Sequence, residues 1–315
     1  MTETAFTRLV GCDVPLQLAP MGGGIGSPNL AVAVSQAGAL GMLSSWYPMP
    51  VAEQLSFALE QTTAPVGMGF FAFDLAQRLA ELELAAARCR VVDLFWGRPD
   101  ADVVSRIHAG GALAVWQVGS PDEARAAQDV GCDVVVAQGV EAGGHVRGTA
   151  PLRQLLDEVV GAVTVPVLAA GGISTHAHLA RVLDAGAAGA RIGTRFVATR
   201  ESAAHPDYLT ALVDAGSADT ELTTAFYGGW EDAPHRVLRR AIDAASACPD
   251  EVVGESSYAG EPWPVMRWSA LPPSTFCTGR IDAMAMYAGC GVGEIDRVCT
   301  VAEVVAEMTG QTIAR

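Results

Sequence analysis

The chain has 315 residues, half of them hydrophobic and only 17% charged, which suits one large core such as a barrel of about 250 residues with an appendage, or two smaller domains. Its formal charge of −15 comes from 35 acidic and 20 basic residues, and every basic residue is Arg. The absence of Lys excludes Schiff-base chemistry and a catalytic Lys, the acidic balance argues against a nucleic-acid partner, and any bound phosphate is left to backbone N–H groups, Arg or hydroxyls.

Short apolar runs recur at 16–19, 40–44, 66–71, 91–95, 113–118, 134–138, 167–170 and 190–193, about one βα unit apart. Helical patterns lie between them. One follows Ser27-Pro28, another opens at Ser120-Pro121-Asp122-Glu123, and a third runs over 179–185 before Gly186. Eight such runs predict eight parallel strands. A doubly wound open sheet is the alternative, and the count of eight favours a (β/α)₈ TIM barrel. After Arg195 the rhythm changes. Residues 201–214, 233–245, 281–288 and 301–308 read as helices, and 248–276 as a long Pro-, Gly- and Ser-rich loop. The expected organisation is a barrel over 1–200 and a helical extension over 201–315 packed on it, not independent.

In a TIM barrel the chemistry sits at the C-terminal ends of the strands, and the unusual sequence lies there. After the first run comes Ala19-Pro20-Met21-Gly22-Gly23-Gly24, which reads either as a flexible turn or as a close approach to a flat ligand. The seventh run leads into Gly171-Gly172, and the eighth into Ile192-Gly193-Thr194. These two loops offer unhindered N–H groups and one hydroxyl to a phosphate, the alternative being tight packing of strand ends. The sixth run leads into 138–148, QGVEAGGHVRG, where Gly143-Gly144 would let the chain pass over a planar ring. His145 is placed at the barrel mouth, as a base or as a partner for an anion.

Other candidates read as structural. His176 and His178 form H-x-H without an evident third ligand, so no metal is expected. His205 is placed to cap or pair locally, and His108 and His235 read as structural or solvated. The seven Cys contain no C-x-x-C pair, so neither a zinc framework nor a disulfide scaffold is readable, and Cys290 reads as a packing residue. Glu3 and the lack of an apolar leader argue against a signal peptide. No stretch of about 18 apolar residues lacks charge, so no membrane span is expected, and the expected location is cytoplasmic.

The stretches APMGGGIGSPNLAVAVSQAGALGML, AQGVEAGGHVRG, VPVLAAGGI and GARIGTRFVATRES, with His205 after the last, resemble the nitronate monooxygenases, formerly 2-nitropropane dioxygenases. APHRVLR and TGRIDAMAMYAG in the tail extend the resemblance over nearly the whole chain. It implies a TIM barrel with non-covalent FMN, oxidising alkyl nitronates with O2 to a carbonyl compound and nitrite. By this resemblance Met21 and Gly22 lie beside the isoalloxazine ring, Gln138 and Gly143 contact the flavin, and Gly172, Gly193 and Thr194 hold its phosphate. Gly171 and Ile192, in the same two loops, complete the expected cofactor contacts. His145 matches the active-site histidine, the base when a neutral nitroalkane is the substrate. Four positions depart from the family. Gly69 stands where Asn is common, Gln117 where some members have Lys, and Cys290-Gly291 where Gln and Ser are common.

The alternatives are an FMN-dependent enoyl-thioester reductase, a pathway-specific flavin oxidase on the same scaffold, and a non-catalytic FMN-binding protein. The expected partners are a small nitronate or nitroalkane and O2, with a homodimer as a further possibility.

Overall fold

The computed structural model describes residues 3–258 and 260–311. Each apolar run becomes a strand filled with small and β-branched residues on both faces, as in a parallel sheet covered by helices. β1 (Leu16–Leu18), β2 (Gly41–Ser44), β3 (Val66–Phe71), β4 (Val91–Phe95), β5 (Leu113–Val118) and β6 (Val134–Gln138) are followed by a two-residue strand, β7 (Gly144–His145), in the loop after β6. β8 (Val167–Ala170) and β9 (Gly189–Ile192) complete the barrel, whose order is β1-β9-β8-β6-β5-β4-β3-β2, all parallel. The sheet closes on itself just before β2. There Leu18 N–H donates to Leu40 O and Leu40 N–H to Leu16 O, both at 2.9 Å. The structure is thus the expected barrel and not the open sheet.

α1 (Ala5–Val10) precedes β1. The outer layer is α2 (Pro28–Gln36), α3 (Val51–Gln61), α4 (Leu79–Arg88), α5 (Ala101–Gly110), α6 (Pro121–Asp129), α7 (Leu152–Val160) and α8 (His176–Asp184), with the short α9 (Thr194–Val197) after β9. Ser27 caps α2 by accepting Leu30 N–H at 3.1 Å, and Ser120 caps α6 by accepting Glu123 N–H at 3.2 Å, each with Pro next in sequence. Among the described residues no helix is long and apolar enough to cross a membrane.

The tail differs from its expected outline. The helix expected over 201–214 is α10 (Pro206–Val213), because Pro206 takes the first helical position and His205 accepts Asp207 N–H at 3.1 Å as its cap. The helix expected over 233–245 splits. Residues His235–Leu238 form β11, paired with β10 (Thr220–Thr223) on one side and β7 on the other, and α11 runs over Arg239–Ala247. The loop expected over 248–276 contains β12 (Val252–Ser256) and β13 (Trp263–Met266), which form a small antiparallel sheet with β14 (Cys277–Gly279). The helix expected over 281–288 is only a 3₁₀ turn at Ile281–Ala283. Beyond it, Leu238 N–H donates to Met286 O and Ala288 N–H to Arg236 O, so tertiary pairing overrides the helix propensity of an Ala- and Met-rich segment. α12 (Val301–Thr309) forms as expected, and its Val301, Val304, Val305 and Met308 join the barrel core. A second core, including Tyr208, Phe226, Val237 and Met286, lies under the tail.

Candidate active site

The loop after β6 is held from several sides. Gln138 Nε2 donates to His145 O at 2.9 Å, and Gln138 Oε1 accepts Arg147 N–H at 3.3 Å. Glu141 Oε2 accepts Leu152 N–H and its carbonyl accepts Cys290 N–H. Arg147 pairs with Glu123 at 2.8 Å. β7 adds to the edge of β11, with His145 opposite His235. His145 is therefore set by backbone pairing as well as by its loop. Gly143, expected beside a planar ring, is also constrained from within the protein. A Cβ there would meet Gly289 N at 2.5 Å, so glycine is required by the close approach of the tail.

Two adjoining cavities that share lining residues open at the C-terminal ends of the barrel strands. The larger, of about 380 Å³, is bounded by Met21, Gly22, Gln117, Gln138 and His145 and roofed by Ser269–Pro272 of the tail. The smaller, of about 80 Å³, is lined by Gly171, Gly172, Ser174, Gly193, Thr194 and Gly291. Gly143 and Gln138 line both. Ile192 is the exception among the expected cofactor contacts. Its side chain lies in the barrel core, 1% exposed, it lines neither cavity, and its carbonyl accepts Ala19 N–H at 2.8 Å. Gly171 and Gly172 have φ of +116° and +67°, which turns the chain in a way other residues resist. Gly193 has negative φ, and a Cβ there would find only Ala19 Cβ, at 3.7 Å. Nothing in the protein demands glycine at 193; the space in front of it stays open. Gly69, by contrast, has no room for a side chain, because Pro20 packs directly on it.

A charged cluster fills the barrel beneath the cavities. Arg191 of β9 donates to Gln17 Oε1 at 3.1 Å and to Gln117 Oε1 at 2.5 Å, and forms an ion pair with Asp93 of β4. Arg191 and Asp93 are 4% and 1% exposed, so both charges are almost entirely withdrawn from bulk solvent. Since a guanidinium only donates, it fixes the Gln117 amide with its oxygen inward, leaving the NH2 group on the cavity side. A cation therefore lies behind the neutral Gln117. Sequence reasoning passed over Arg191 because it stands inside a strand-end motif, and over Asp93 because it interrupts an apolar run.

Aromatic rings crowd the mouth. Trp230 stacks on His145 with centroids 3.9 Å apart and planes 22° apart, and it meets Phe71 at 4.8 Å, Phe73 at 5.2 Å and Trp96 at 5.1 Å. His145 Nε2 is shielded and makes no hydrogen bond among the described residues. Desolvation by these neighbours, helped by nearby His235, pushes the His145 pKa down to about 3. Burial also lowers that of His235, against the raising effect of its bond to Ala233 O. His235 accepts Phe226 N–H at 3.2 Å through Nε2 while Nδ1 bonds Ala233 O at 2.9 Å, an arrangement only a neutral ring can make.

These two rings make stability pH-dependent. The unfolded chain binds protons on them near pH 6.5 while the folded chain resists. Their contribution is complete above that pH and is lost as pH falls, towards pH 3 for His145. Urea unfolding is expected to show stability falling between pH 7 and pH 5 by up to about 1.4 kcal/mol per pH unit for each ring. His145→Asn should flatten the slope, and a wild-type stability constant over this window would refute the assignment.

The remaining candidates have structural partners. His176 Nδ1 lies 3.0 Å from Met308 O, joining α8 to α12, and His178 Nδ1 accepts Ser174 N–H at 3.3 Å. Among the described residues no group of three His, Cys, Asp or Glu is placed to hold a metal. His108 pairs with Asp133 at 2.8 Å. Burial pushes the Cys12, Cys89 and Cys132 thiols up to about 12, which disfavours thiolate chemistry there. Cys290 packs beside Thr220 Oγ1 at 3.8 Å.

The nitronate monooxygenase family model matches residues 3–78 and 74–311, nearly the whole chain. The chain belongs to the nitronate monooxygenase family. It is therefore an enzyme, an oxidoreductase. A probable nitronate monooxygenase of Bacillus subtilis is 31% identical over 244 residues, covering 64% of this chain and 70% of the relative. A second relative, (3aS,4S,5R,7aS)-5-hydroxy-7a-methyl-1-oxo-octahydro-1H-indene-4-carboxyl-CoA dehydrogenase of Rhodococcus jostii, is 33% identical over 209 residues, 65% of this chain but only 58% of that protein. Among solved structures, FabK from Thermotoga maritima superposes with a TM-score of 0.78 at 26% identity, covering 98% of this chain and 95% of that one. Nitroalkane oxidase from Streptomyces ansochromogenes gives 0.75 at 29% identity, covering 98% and 97%.

Proposed function

We propose that this protein binds FMN across the two adjoining cavities and oxidises alkyl nitronates with O2 to a carbonyl compound and nitrite. The observation that carries this reading is the unpartnered His145 Nε2 at a cavity adjoining a cradle of glycines. The residues fit the cofactor. Gly171, Gly172 and Gly193 leave backbone N–H groups accessible at the smaller cavity, and Thr194 adds a hydroxyl, which suits a phosphate in a chain without Lys. Met21, Gly22, Gln138 and Gly143 bound the larger cavity, where a planar ring system fits. Bound there, FMN would supply the electron acceptor that nitronate oxidation requires, with O2 as the terminal oxidant.

The protein's part is to orient and to exclude water. The Gln117 amide, held by Arg191, presents a fixed donor to the larger cavity. His145 is neutral at physiological pH, and its shielded Nε2 has no hydrogen bond within the described residues to give up on meeting the substrate. Its suppressed basicity makes it a weak acceptor for the α-proton of a neutral nitroalkane, whereas a nitronate arrives already deprotonated and needs only orientation. Nitronates are therefore the preferred substrates. His145→Asn is expected to retain FMN and to lower kcat/KM on neutral nitroalkanes by about 100-fold or more, and on nitronates by much less. Equal losses on both would remove His145 as the base.

The relationship to a carboxyl-CoA dehydrogenase favours one competing reading, a flavin enzyme acting on a thioester, including the enoyl-thioester reductases. Against it stands the charge of −15, which repels polyanionic carriers. The deciding experiment records the flavin spectrum after anaerobic mixing with ethyl nitronate, or with NADH plus an enoyl thioester. Bleaching by the nitronate supports the first reading; fast bleaching by NADH followed by thioester turnover overturns it.

A further inference from the structure

The established family and the reading above leave the substrate's tail unspecified. The larger cavity constrains it. Its one lining residue with a full charge is Arg191, and that guanidinium is occupied by Asp93, Gln17 and Gln117. A carboxylate on the tail, a second anion beside the nitronate, would find no free cation in these walls and only neutral donors such as the Gln117 amide to share. What the walls offer is ring surface. Phe71 and Phe73 stack at 5.3 Å, Trp46 meets Phe71 edge-on at 5.5 Å, and Phe95 meets Trp96 edge-on at 5.3 Å. Trp46 and Phe73 remain 39% and 52% exposed, so a large apolar rim faces solvent beside the cavity.

Two features tie this rim to the reacting centre. Trp96 has φ of +60°, a conformation that is an outlier for a bulky side chain, and its indole comes within 6.0 Å of the His145 ring. Trp116 Nε1 donates to Gly97 O at 3.3 Å, bracing the loop in that shape. Trp230 covers one face of His145, so a planar group stacking on that face of the imidazole takes the place of the indole. Gly228 anchors this segment to the roof, its N–H donating to Trp268 O at 2.8 Å and its carbonyl accepting Ala270 N–H at 2.9 Å, and Gly229, with φ of +94°, is the turn residue between that anchor and the indole.

We propose that the substrate carries a planar, uncharged aromatic group that displaces the Trp230 indole from His145 and lies against Phe71, Phe73, Trp46 and Trp96. The assignment rests on the nitronate reading of the same site and names its substrate class, arylalkyl nitronates in preference to small or carboxylated ones. A planar ring fits because the surface it replaces is itself a stacked ring, and aromatic partners prefer the offset and edge-on contacts the rim provides.

The test has two arms, both on the flavin-loaded protein. The first compares kcat/KM for the nitronates of 1-nitro-2-phenylethane, nitroethane and 3-nitropropionate. The phenyl compound is expected to exceed the other two by about tenfold or more, and Phe73→Ala to cut that ratio by a similar factor. Phe73 is half-exposed, so the substitution leaves the core untouched. The second arm needs no turnover. 2-Phenylethanol and 1-butanol are titrated while tryptophan fluorescence is followed, with the phenyl compound expected to bind more tightly and Phe73→Ala to erase the difference. If no nitronate reacts but 2-phenylethanol binds selectively, the aryl site stands and the nitronate chemistry falls. Equal binding of both alcohols, or preference for the carboxylated nitronate, overturns the aryl assignment.

Discussion

Gly193→Val is expected to leave the barrel folded and to remove its ability to retain FMN. The two effects separate because the space in front of Gly193 belongs to the cavity and not to the protein's packing. The nearest atom to an added Cβ is Ala19 Cβ at 3.7 Å, an ordinary contact, and the backbone does not require positive φ. The branched side chain would fill the floor of the smaller cavity, where the N–H groups of Gly193 and Thr194 are proposed to meet the phosphate. Hydrogen bonds to a charged group contribute roughly 1.5–3 kcal/mol each, so losing two of them predicts a weakening of about 10²- to 10⁴-fold. With no Lys in the chain, no flexible ammonium is available to take over. Fluorimetric FMN titration measures the loss, and thermal unfolding of the flavin-free protein checks that the fold is intact. Gly143→Ala is the contrasting case. Its Cβ would strike the Gly289 backbone, so stability should fall with or without flavin. Unchanged FMN affinity in Gly193→Val would mean that the phosphate lies elsewhere.

The contrast between these two glycines also explains how much of the site the sequence made legible. Glycines at the ends of apolar runs are a local signal, so the strand-end loops and their order along the barrel could be read directly. Their separate reasons could not be read. Gly143 answers to Ala288–Gly289, more than 140 residues away, and Gly69 to Pro20, while Gly193 answers to open space. The same limit hid the aromatic rim. Trp46, Phe71 and Trp96 lie at the ends of the neighbouring strands β2, β3 and β4 and Trp230 lies in the tail, so only the pairing of those strands and the return of the tail over them bring the rings together. Trp230 sits in a Gly-Gly-Trp turn that carries no periodicity at all. In the tail, Ala-rich segments read as helices because propensity is local. The backbone of 284–288 instead bonds β11, whose own edges are completed by β10 and by the His145 strand.

Asp93→Ala is expected to destabilise the protein by about 3–5 kcal/mol, because it leaves the Arg191 guanidinium buried without its counter-charge. Gln17 and Gln117 would still accept from it, but amides do not neutralise a charge. Arg191→Met alone should be costly for the mirror reason, since Asp93 would keep a buried carboxylate whose Oδ1 already lacks a partner among the described residues. The double variant, with an apolar pair in the barrel, should recover most of the stability, because the desolvation of both ions disappears with them. Urea unfolding of the wild type, the two single variants and the double variant gives the coupling directly. Additive losses would show that the ion pair is not the unit that holds the barrel floor. Recovery of stability would not restore the site. Without the donor-only guanidinium behind it, the Gln117 amide is free to turn its oxygen towards the cavity, which exchanges a donor for an acceptor where the flavin ring is proposed to lie. The double variant should therefore fold like the wild type yet show an altered flavin absorbance and a lower FMN affinity. That outcome would place the purpose of the buried pair in fixing one amide, since an apolar barrel would be equally stable.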